Sequence, residues 1–410
     1  MTSHDNGVAG IREQFPALLR HERNGAIAYL DNASSTQKPR AVLDAERNFY
    51  LSSYANVHRG VYGLAQDADA AYEEARAVTQ RFLNAQSSAE IVFTAGTTAS
   101  LNLVAHGWGL DHLKRGDEVV LTLMEHHANI VPWRVVADRT GAVIKVIRLA
   151  EDGSLDMEHA RELVGDRTKV LAFTHVSNVL GTENPVAELC ALARSVGAIS
   201  VVDGAQAVAH QRVDVRSLGC DFYAFGAHKV FGPTGVGVLF ARMEHLKRMS
   251  PFMVGGGMID SVTFERITFA DPPTRFEAGT PPIAQVVGLA AALEWLSAMG
   301  IEGVHNRLEF LGAELDLAVG ALPGVKIYGR AERKGPVCAF SVDGIHPHDL
   351  ATVLGSEGVC VRAGHHCCMP LMEHFKVPAL SRASLAVYNT EAEISALSDG
   401  IRKAQRLFRC

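Results

Sequence analysis

Three side chains in this 410-residue chain stand where their kinds become reactive. Lys229 follows the apolar, aromatic run Phe222-Tyr223-Ala224-Phe225, and the turn Gly232-Pro233-Thr234-Gly235 leads on to a second apolar run, Val236 to Phe240. An ammonium held between two buried strands is poorly solvated, which lowers its pKa and frees the amine. A free amine there can form a Schiff base with a carbonyl cofactor, whereas the same lysine on an exposed hairpin would do no chemistry. Asp203 ends the buried run Ile199-Ser200-Val201-Val202. A carboxylate in that place either pairs with a cation or caps the next helix. The third candidate is Cys367, in Arg362-Ala363-Gly364-His365-His366-Cys367-Cys368-Met369-Pro370. Four consecutive His and Cys side chains cannot close one tetrahedral metal site, so no metal is expected. Two readings remain: a pair of packed cysteines, or a thiolate whose pKa a neighbouring cation lowers.

Taken together, Lys229 and Asp203 point to pyridoxal phosphate, with the lysine on its aldehyde and the carboxylate keeping its ring nitrogen protonated, so that the ring acts as an electron sink. The elements needed to position them are legible. Ile91 to Thr94 reads as a strand, and Ala95-Gly96-Thr97-Thr98-Ala99-Ser100 as the turn into a helix. Backbone N–H groups, hydroxyls and the helix dipole there suit an anion such as a phosphate, although the same residues also make an ordinary helix cap. Strand-like runs recur at Glu118–Leu123, Ala142–Ile147, Val170–Thr174 and Ile199–Val202, with helical stretches between them. This alternation predicts an α/β fold with a largely parallel sheet covered on both faces. Polar clusters follow three of these strands: Glu125-His126-His127, His175-Val176-Ser177-Asn178 and Asp203-Gly204-Ala205-Gln206. Sites in such sheets lie at the strands' carboxyl ends, so one shared pocket is expected.

Helical spacing runs from Ala41 to Tyr50, from Ala65 to Leu83 and from Ile283 to about Leu317, with a polar loop at Asn56-Val57-His58-Arg59-Gly60. After Val325 the pattern is strand (Val337–Val342), helix (Pro347–Leu354), strand (Gly358–Val361) and a last helix from Glu391 to about Leu407. The expected division is an N-terminal arm over 1–30 with a short helix near Gly10–Leu19, a large cofactor domain over 31–285, and a linking helix with a small α+β domain over 286–410, on which the arm packs. A net charge of −6 gives no electrostatic footprint for nucleic acid. No run of roughly 18 apolar residues predicts a membrane span, and Met1 to Arg23 has no signal-peptide core. Seven cysteines with no Cys-x-x-Cys pattern argue against a disulfide framework and for a reducing cytoplasm.

The ordered set Glu125-His126-His127-Ala128-Asn129, His175-Val176-Ser177-Asn178-Val179-Leu180-Gly181, Asp203-Gly204-Ala205-Gln206, Ala227-His228-Lys229 and Arg362 to Cys367 resembles the Suf-type (group II) cysteine desulfurases. These are class V aminotransferase relatives of the pyridoxal-phosphate fold type I, with a mostly parallel seven-stranded sheet and a small α+β domain. The resemblance runs from about Ile11 to Leu407. It implies that Lys229 forms the internal aldimine and moves the Cα proton, and that Asp203 and Gln206 contact the ring nitrogen and phenolic oxygen. His126 would stack on the ring and assist proton transfer. Thr97, Thr98 and His228 would surround the phosphate. Thr280 and Arg59 would arrive from a neighbouring subunit, which implies a homodimer. Asn178 and Arg382 would hold the substrate carboxylate, and Arg362 would position the substrate or the catalytic loop. L-Cysteine would become alanine, its sulfur kept on Cys367 as a persulfide and passed to an acceptor protein of the Suf system for iron–sulfur cluster assembly.

Two positions depart from that pattern. Gly226 stands where the family usually has a hydroxyl residue, and Cys368 stands where alanine is common. Cys368 is either a bystander, since adjacent side chains on an extended chain point apart, or a second sulfur carrier. Rival readings are a selenocysteine lyase acting on L-selenocysteine, or a related β-eliminating enzyme, on the same scaffold; a cofactor-binding protein without catalysis; and a zinc module built on His365, His366 and Cys367.

Overall fold

The computed structural model describes residues 10–22 and 25–409. Cys410 and residues 1–9 lie outside them. The central sheet has seven strands: β1 (Ile91–Thr94), β2 (Glu118–Thr122), β3 (Val143–Ile147), β4 (Thr168–Thr174), β5 (Ile199–Asp203), β6 (Phe222–Gly226) and β7 (Gly237–Ala241). Their order is β1-β7-β6-β5-β4-β2-β3. Neighbours run parallel except at β7, which is antiparallel to β1 and β6. Every residue of β2, β5, β6 and β7 is buried. Such strands read as continuous apolar runs because both faces are covered. Successive residues still alternate between two cores: Tyr223 and Phe225 join one, Phe222 and Ala224 the other.

Helices α1 (Arg40–Ser52) and α2 (Gly63–Leu83) pack beside α4 (Ile283–Ala298), while α3 (Thr97–Val104) follows β1. The long helix expected from Ile283 to Leu317 is instead two. Helix α5 (Ile301–Gly320) leaves α4 at 80°, and Gly300 at the break has φ +79°, where a residue without Cβ is strongly favoured. Among the described residues no single helix is long and apolar enough to cross a membrane.

A second, antiparallel sheet contains β8 (Val325–Tyr328), β9 (Val337–Val342), β10 (Arg362–Gly364) and β11 (Leu380–Ser384), in the order β8-β9-β11-β10. It packs with helices α6 (Pro347–Ser356) and α8 (Glu391–Phe408), and α7 (Met369–Phe375) follows β10. Strands β10 and β11 were not expected, because both are short and each carries an arginine. The strand expected at Gly358–Val361 shrinks to Val359–Cys360, which pairs in parallel with Ala28–Tyr29. Ala28 and Leu30 thereby enter the core of Leu311, Phe340, Leu354 and Leu397. In place of the one short helix expected near Gly10–Leu19, residues 10–12 are helical, residues 13–15 are not, and a separate 3-10 turn follows at Pro16–Leu19. A hairpin, Ile259–Val262 with Ile267–Phe269, follows the glycine-rich stretch.

Candidate active site

The carboxyl ends of β2, β4, β5 and β6 lie at one edge of the sheet and deliver His126, Asn178, Asp203 and Lys229 to one cavity of about 920 Å³. Lys229 closes the 3-10 turn Ala227–Lys229 directly after β6. Burial pushes its pKa down to about 8, with Asp203 opposing and Arg382 adding to the fall. Its neighbour His228 is anchored through the main chain. The His228 carbonyl accepts from Thr36 N–H, Ser35 Oγ and Lys38 Nζ, each at 3.0 Å. The His228 ring falls to about 4 through burial, with Lys229 and Lys38 nearby.

Asp203 is 4% exposed. Its side chain accepts Ala205 N–H at 3.0 Å and forms no salt bridge among the described residues. Burial raises its pKa, while the Ala205 N–H and Lys229 counter that rise. A carboxylate in this state favours a cation arriving in the cavity. Gln206 lines the cavity and donates to the Ala33 carbonyl at 2.7 Å. His126 accepts Ala128 N–H at Nδ1, and burial together with the charges of Lys229, His127 and Arg382 lowers its pKa to about 4. It is therefore a neutral, flat ring at neutral pH.

Gly96, Thr97 and Thr98 at the start of α3 form another wall with His228. Gly237 is forced there, because a Cβ would lie 2.4 Å from the Gly96 backbone. A Cβ on Gly226 would sit 3.0 Å from Thr97 Oγ1. The Thr97 hydroxyl thus stands close to where a side chain at 226 would begin.

The wall from the second sheet carries the arginines. Arg382, 3% exposed, donates to the Asn178 carbonyl at 2.9 Å, to Asp31 Oδ1 at 3.1 Å and to Ser34 Oγ at 2.7 Å. Its Nε has no hydrogen-bond partner among the described residues. Burial lowers its pKa against the pull of Asp31. Arg362 is exposed and lies 3.7 Å from Asp31 Oδ2. Asp31 therefore stands between both guanidiniums, a role the sequence did not disclose. The only signal in the sequence is that Asp31 opens the polar run Asp31-Asn32-Ala33-Ser34-Ser35.

Cys367 is exposed and lines the cavity, whereas Cys368 is fully buried and its Sγ donates to the Glu125 carbonyl at 3.1 Å. Burial pushes the Cys368 thiol far up, so a role as second sulfur carrier has no support. His365 and His366 point to different partners: His365 Nδ1 accepts Cys367 N–H, and His366 Nε2 meets the Leu380 carbonyl. All the expected site residues line this cavity except Thr280 and Arg59, both of which are exposed elsewhere on the chain.

Residues 28–397 match the family model for aminotransferase class-V. A cysteine desulfurase of Cronobacter sakazakii is 48% identical over 398 residues, which is 97% of this chain and 98% of that protein. The crystal structure of the cysteine desulfurase CsdA from Escherichia coli, in its S-sulfonic acid form, superposes with a TM-score of 0.91 at 39% identity, covering 98% of each chain. The apo cysteine desulfurase of Thermococcus onnurineus gives a TM-score of 0.92 at 37% identity, covering 96% of this chain and 97% of that one. A cavity offering a depressed lysine, a buried carboxylate without a cation and an accessible thiol agrees with these likenesses, and the chain belongs to the class V aminotransferase family as a pyridoxal 5′-phosphate-dependent cysteine desulfurase of fold type I.

Proposed function

We propose that this enzyme is of the Suf type (group II) and moves the sulfur of L-cysteine onto Cys367 for iron–sulfur cluster assembly in the cytoplasm. The observation that carries the reading is one cavity with Lys229 and Asp203 on the central sheet and an exposed Cys367 on the opposite segment. The motif from Arg362 to Cys367 supports the Suf assignment.

The cavity fits its cofactor. Asp203 is a buried carboxylate awaiting a cationic ring nitrogen, Gln206 borders the same wall, and His126 supplies a neutral ring for stacking. Gly96, Thr97, Thr98 and His228 would hold the phosphate, with the Thr97 hydroxyl serving where Gly226 has none. When bound, pyridoxal phosphate supplies an electron sink for charge developing at the substrate Cα. The protein does the rest. Lys229, with about half of its amine unprotonated near pH 8, takes and returns the Cα proton. Arg382, rigidly held by Asp31, Ser34 and the Asn178 carbonyl, receives the substrate carboxylate with Asn178. Arg362 positions the substrate amino acid from the rim. The Cys367 thiolate attacks the substrate sulfur; the carbon–sulfur bond breaks, a sulfur–sulfur bond forms, and carbon takes up a proton. Cysteine and enzyme thiol thus become alanine and enzyme persulfide, with no outside oxidant or reductant. An acceptor protein then removes the outer sulfur.

We also propose a homodimer in which Thr280 and Arg59 complete the partner's cavity. Both are exposed, and Val61 (90%), Tyr62 (58%) and Phe264 (108%) near them in sequence expose large apolar surfaces. The chain divides in this reading into an arm (1–30), a large domain (31–285) and a small domain with its linking helix (286–410). Helix α5 serves both cores, with Val304 and Leu308 in one and Leu311 and Leu315 in the other.

The test is alanine production from L-cysteine with reductant, by wild type and by Cys367→Ala, with visible spectra of both. Retained cofactor absorbance with almost no alanine from the variant supports the reading. Alanine at the wild-type rate would show that Cys367 is not the sulfur acceptor.

A further inference from the structure

The turn that carries the thiol is held in an uncommon backbone state. His366 and Cys367 are consecutive non-glycine residues in the left-handed region, at φ +51° and +55°. Residues with a Cβ visit that region at a cost, and a pair of them persists only where the surroundings over-determine it. Much of that constraint comes from two residues to which the reaction above gives no part. The His127 N–H donates to the Cys367 carbonyl at 2.7 Å. His127 Nε2 accepts the Met369 N–H at 3.0 Å. His365 Nδ1 accepts the Cys367 N–H at 3.0 Å. The two imidazoles lie 5.6 Å apart, tilted by 32°. Cys367 is therefore gripped at its N–H and its C=O, and the residue two further on is gripped as well. Asn178 Nδ2 on the His366 carbonyl, at 2.9 Å, completes the hold.

The location of this bracket gives it a consequence. His127 follows His126, the ring that faces Lys229, so one short segment carries both a wall of the cofactor cavity and the brace on the thiol. An imidazole nitrogen that accepts a backbone N–H must be unprotonated. Burial and the neighbouring His365 lower the pKa of His127, which favours that state.

We propose that His127 and His365 are positioning residues for sulfur transfer: their acceptor nitrogens and the His127 N–H fix the Cys367 turn so that the thiol is presented to the cavity. This rests on Cys367 being the sulfur acceptor. Neither side chain lines the cavity; they act through the backbone of the nucleophile. A displaced nucleophile costs rate rather than substrate affinity.

The experiment uses purified holoenzyme and four variants: His127→Ala and His365→Ala, which delete the acceptors, and His127→Gln and His365→Asn, which keep one. Asparagine is apt at 365 because its side-chain oxygen accepts the N–H two residues on in an Asx turn. Three quantities are read: kcat and KM for alanine formation, the visible absorbance of bound cofactor, and the rate of iodoacetamide alkylation at Cys367, mapped by mass spectrometry. Each alanine variant should lose about tenfold or more in kcat, with KM within about twofold and cofactor absorbance unchanged. Its Cys367 alkylation rate should shift from the wild-type value, and the amide variants should recover most of the loss. Unchanged kcat in both alanine variants overturns the proposal. So does a loss that parallels loss of cofactor absorbance, or one that the amide variants share in full. If one alanine variant does not fold, the other position decides. The reading beneath fails separately: a Cys367→Ala enzyme that makes alanine at the wild-type rate removes the acceptor, whatever the histidine variants do.

Discussion

A thiol is useful as a nucleophile when water and substrate can reach it and its anion is tolerated. Cys367 and Cys368 are adjacent in sequence and opposite in this respect: the first is exposed on the cavity, the second fully buried with its proton on the Glu125 carbonyl. Replacement of Cys368 by alanine is therefore expected to leave alanine production within about twofold of wild type, because only a weak sulfur hydrogen bond and a small volume are lost; steady-state assays beside Cys367→Ala decide it. Lys229 makes a second prediction at this scale. Only the neutral amine attacks an aldehyde, and its pKa stands at about 8. Loading of pyridoxal phosphate onto the cofactor-free protein should accelerate as pH rises toward 8 and level off above it, followed by stopped-flow absorbance. A lysine at its ordinary value of about 10.4 would still be gaining about tenfold per unit at pH 9. Lys229 and Asp203 stood out in the sequence because each follows a buried apolar run, and Cys367 because histidines and an arginine crowd its loop. Asp31 did not, since its place between Arg362 and Arg382 exists only once β10 and β11 fold against it.

At the scale of elements, strands read well where both faces are covered, as in β5 and β6, and poorly where a short strand spends residues on the cavity, as in β10 and β11. The break between α4 and α5 was hidden because helical spacing continues across Gly300, and only its positive φ marks the turn. One connection could not be read from pattern at all. Arg76 on α2 and Glu277 pair at 2.7 Å with side chains 3% and 4% exposed. Arg76 also donates to the Ile91 carbonyl, and Glu277 accepts from the Phe93 N–H and the Tyr72 hydroxyl. The cluster binds α2, β1 and the 3-10 turn Thr274–Phe276 into one unit just before the Gly279-Thr280 turn. Arg76 also pairs with Glu73, at 3.1 Å, but that carboxylate is half exposed, whereas Glu277 is buried and accepts from the Phe93 N–H and the Tyr72 hydroxyl as well, so Glu277→Ala should destabilise the protein by about 3 kcal/mol. Chemical denaturation of the variant checks this. A cost below about 1 kcal/mol would mean that water or another residue takes over the guanidinium.

For the whole molecule the question is what completes the cavity. Thr280 and Arg59 are the two expected site residues that this chain does not bring to its own cavity, and both sit on exposed backbone close in sequence to uncovered apolar side chains. Val61 and Tyr62 directly follow Arg59-Gly60, and Met253 and Val254, 63% and 65% exposed, precede the hairpin that leads to Thr280. Surfaces of this kind are seldom left in water. If a second copy covers them, the same contact that buries the apolar residues brings in Arg59 and Thr280, and assembly and cofactor retention become one equilibrium. Sedimentation equilibrium should then give twice the chain mass for wild type. Val61→Asp and Tyr62→Asp should each weaken association by about tenfold or more, since a carboxylate would have to be buried unpaired. Cofactor absorbance measured across a dilution series should fall with the dimer fraction, and excess pyridoxal phosphate should shift both back together. A wild-type chain that stays monomeric while keeping full cofactor occupancy and turnover would show that the cavity is complete within one subunit, and Thr280 and Arg59 would lose their assigned place in it.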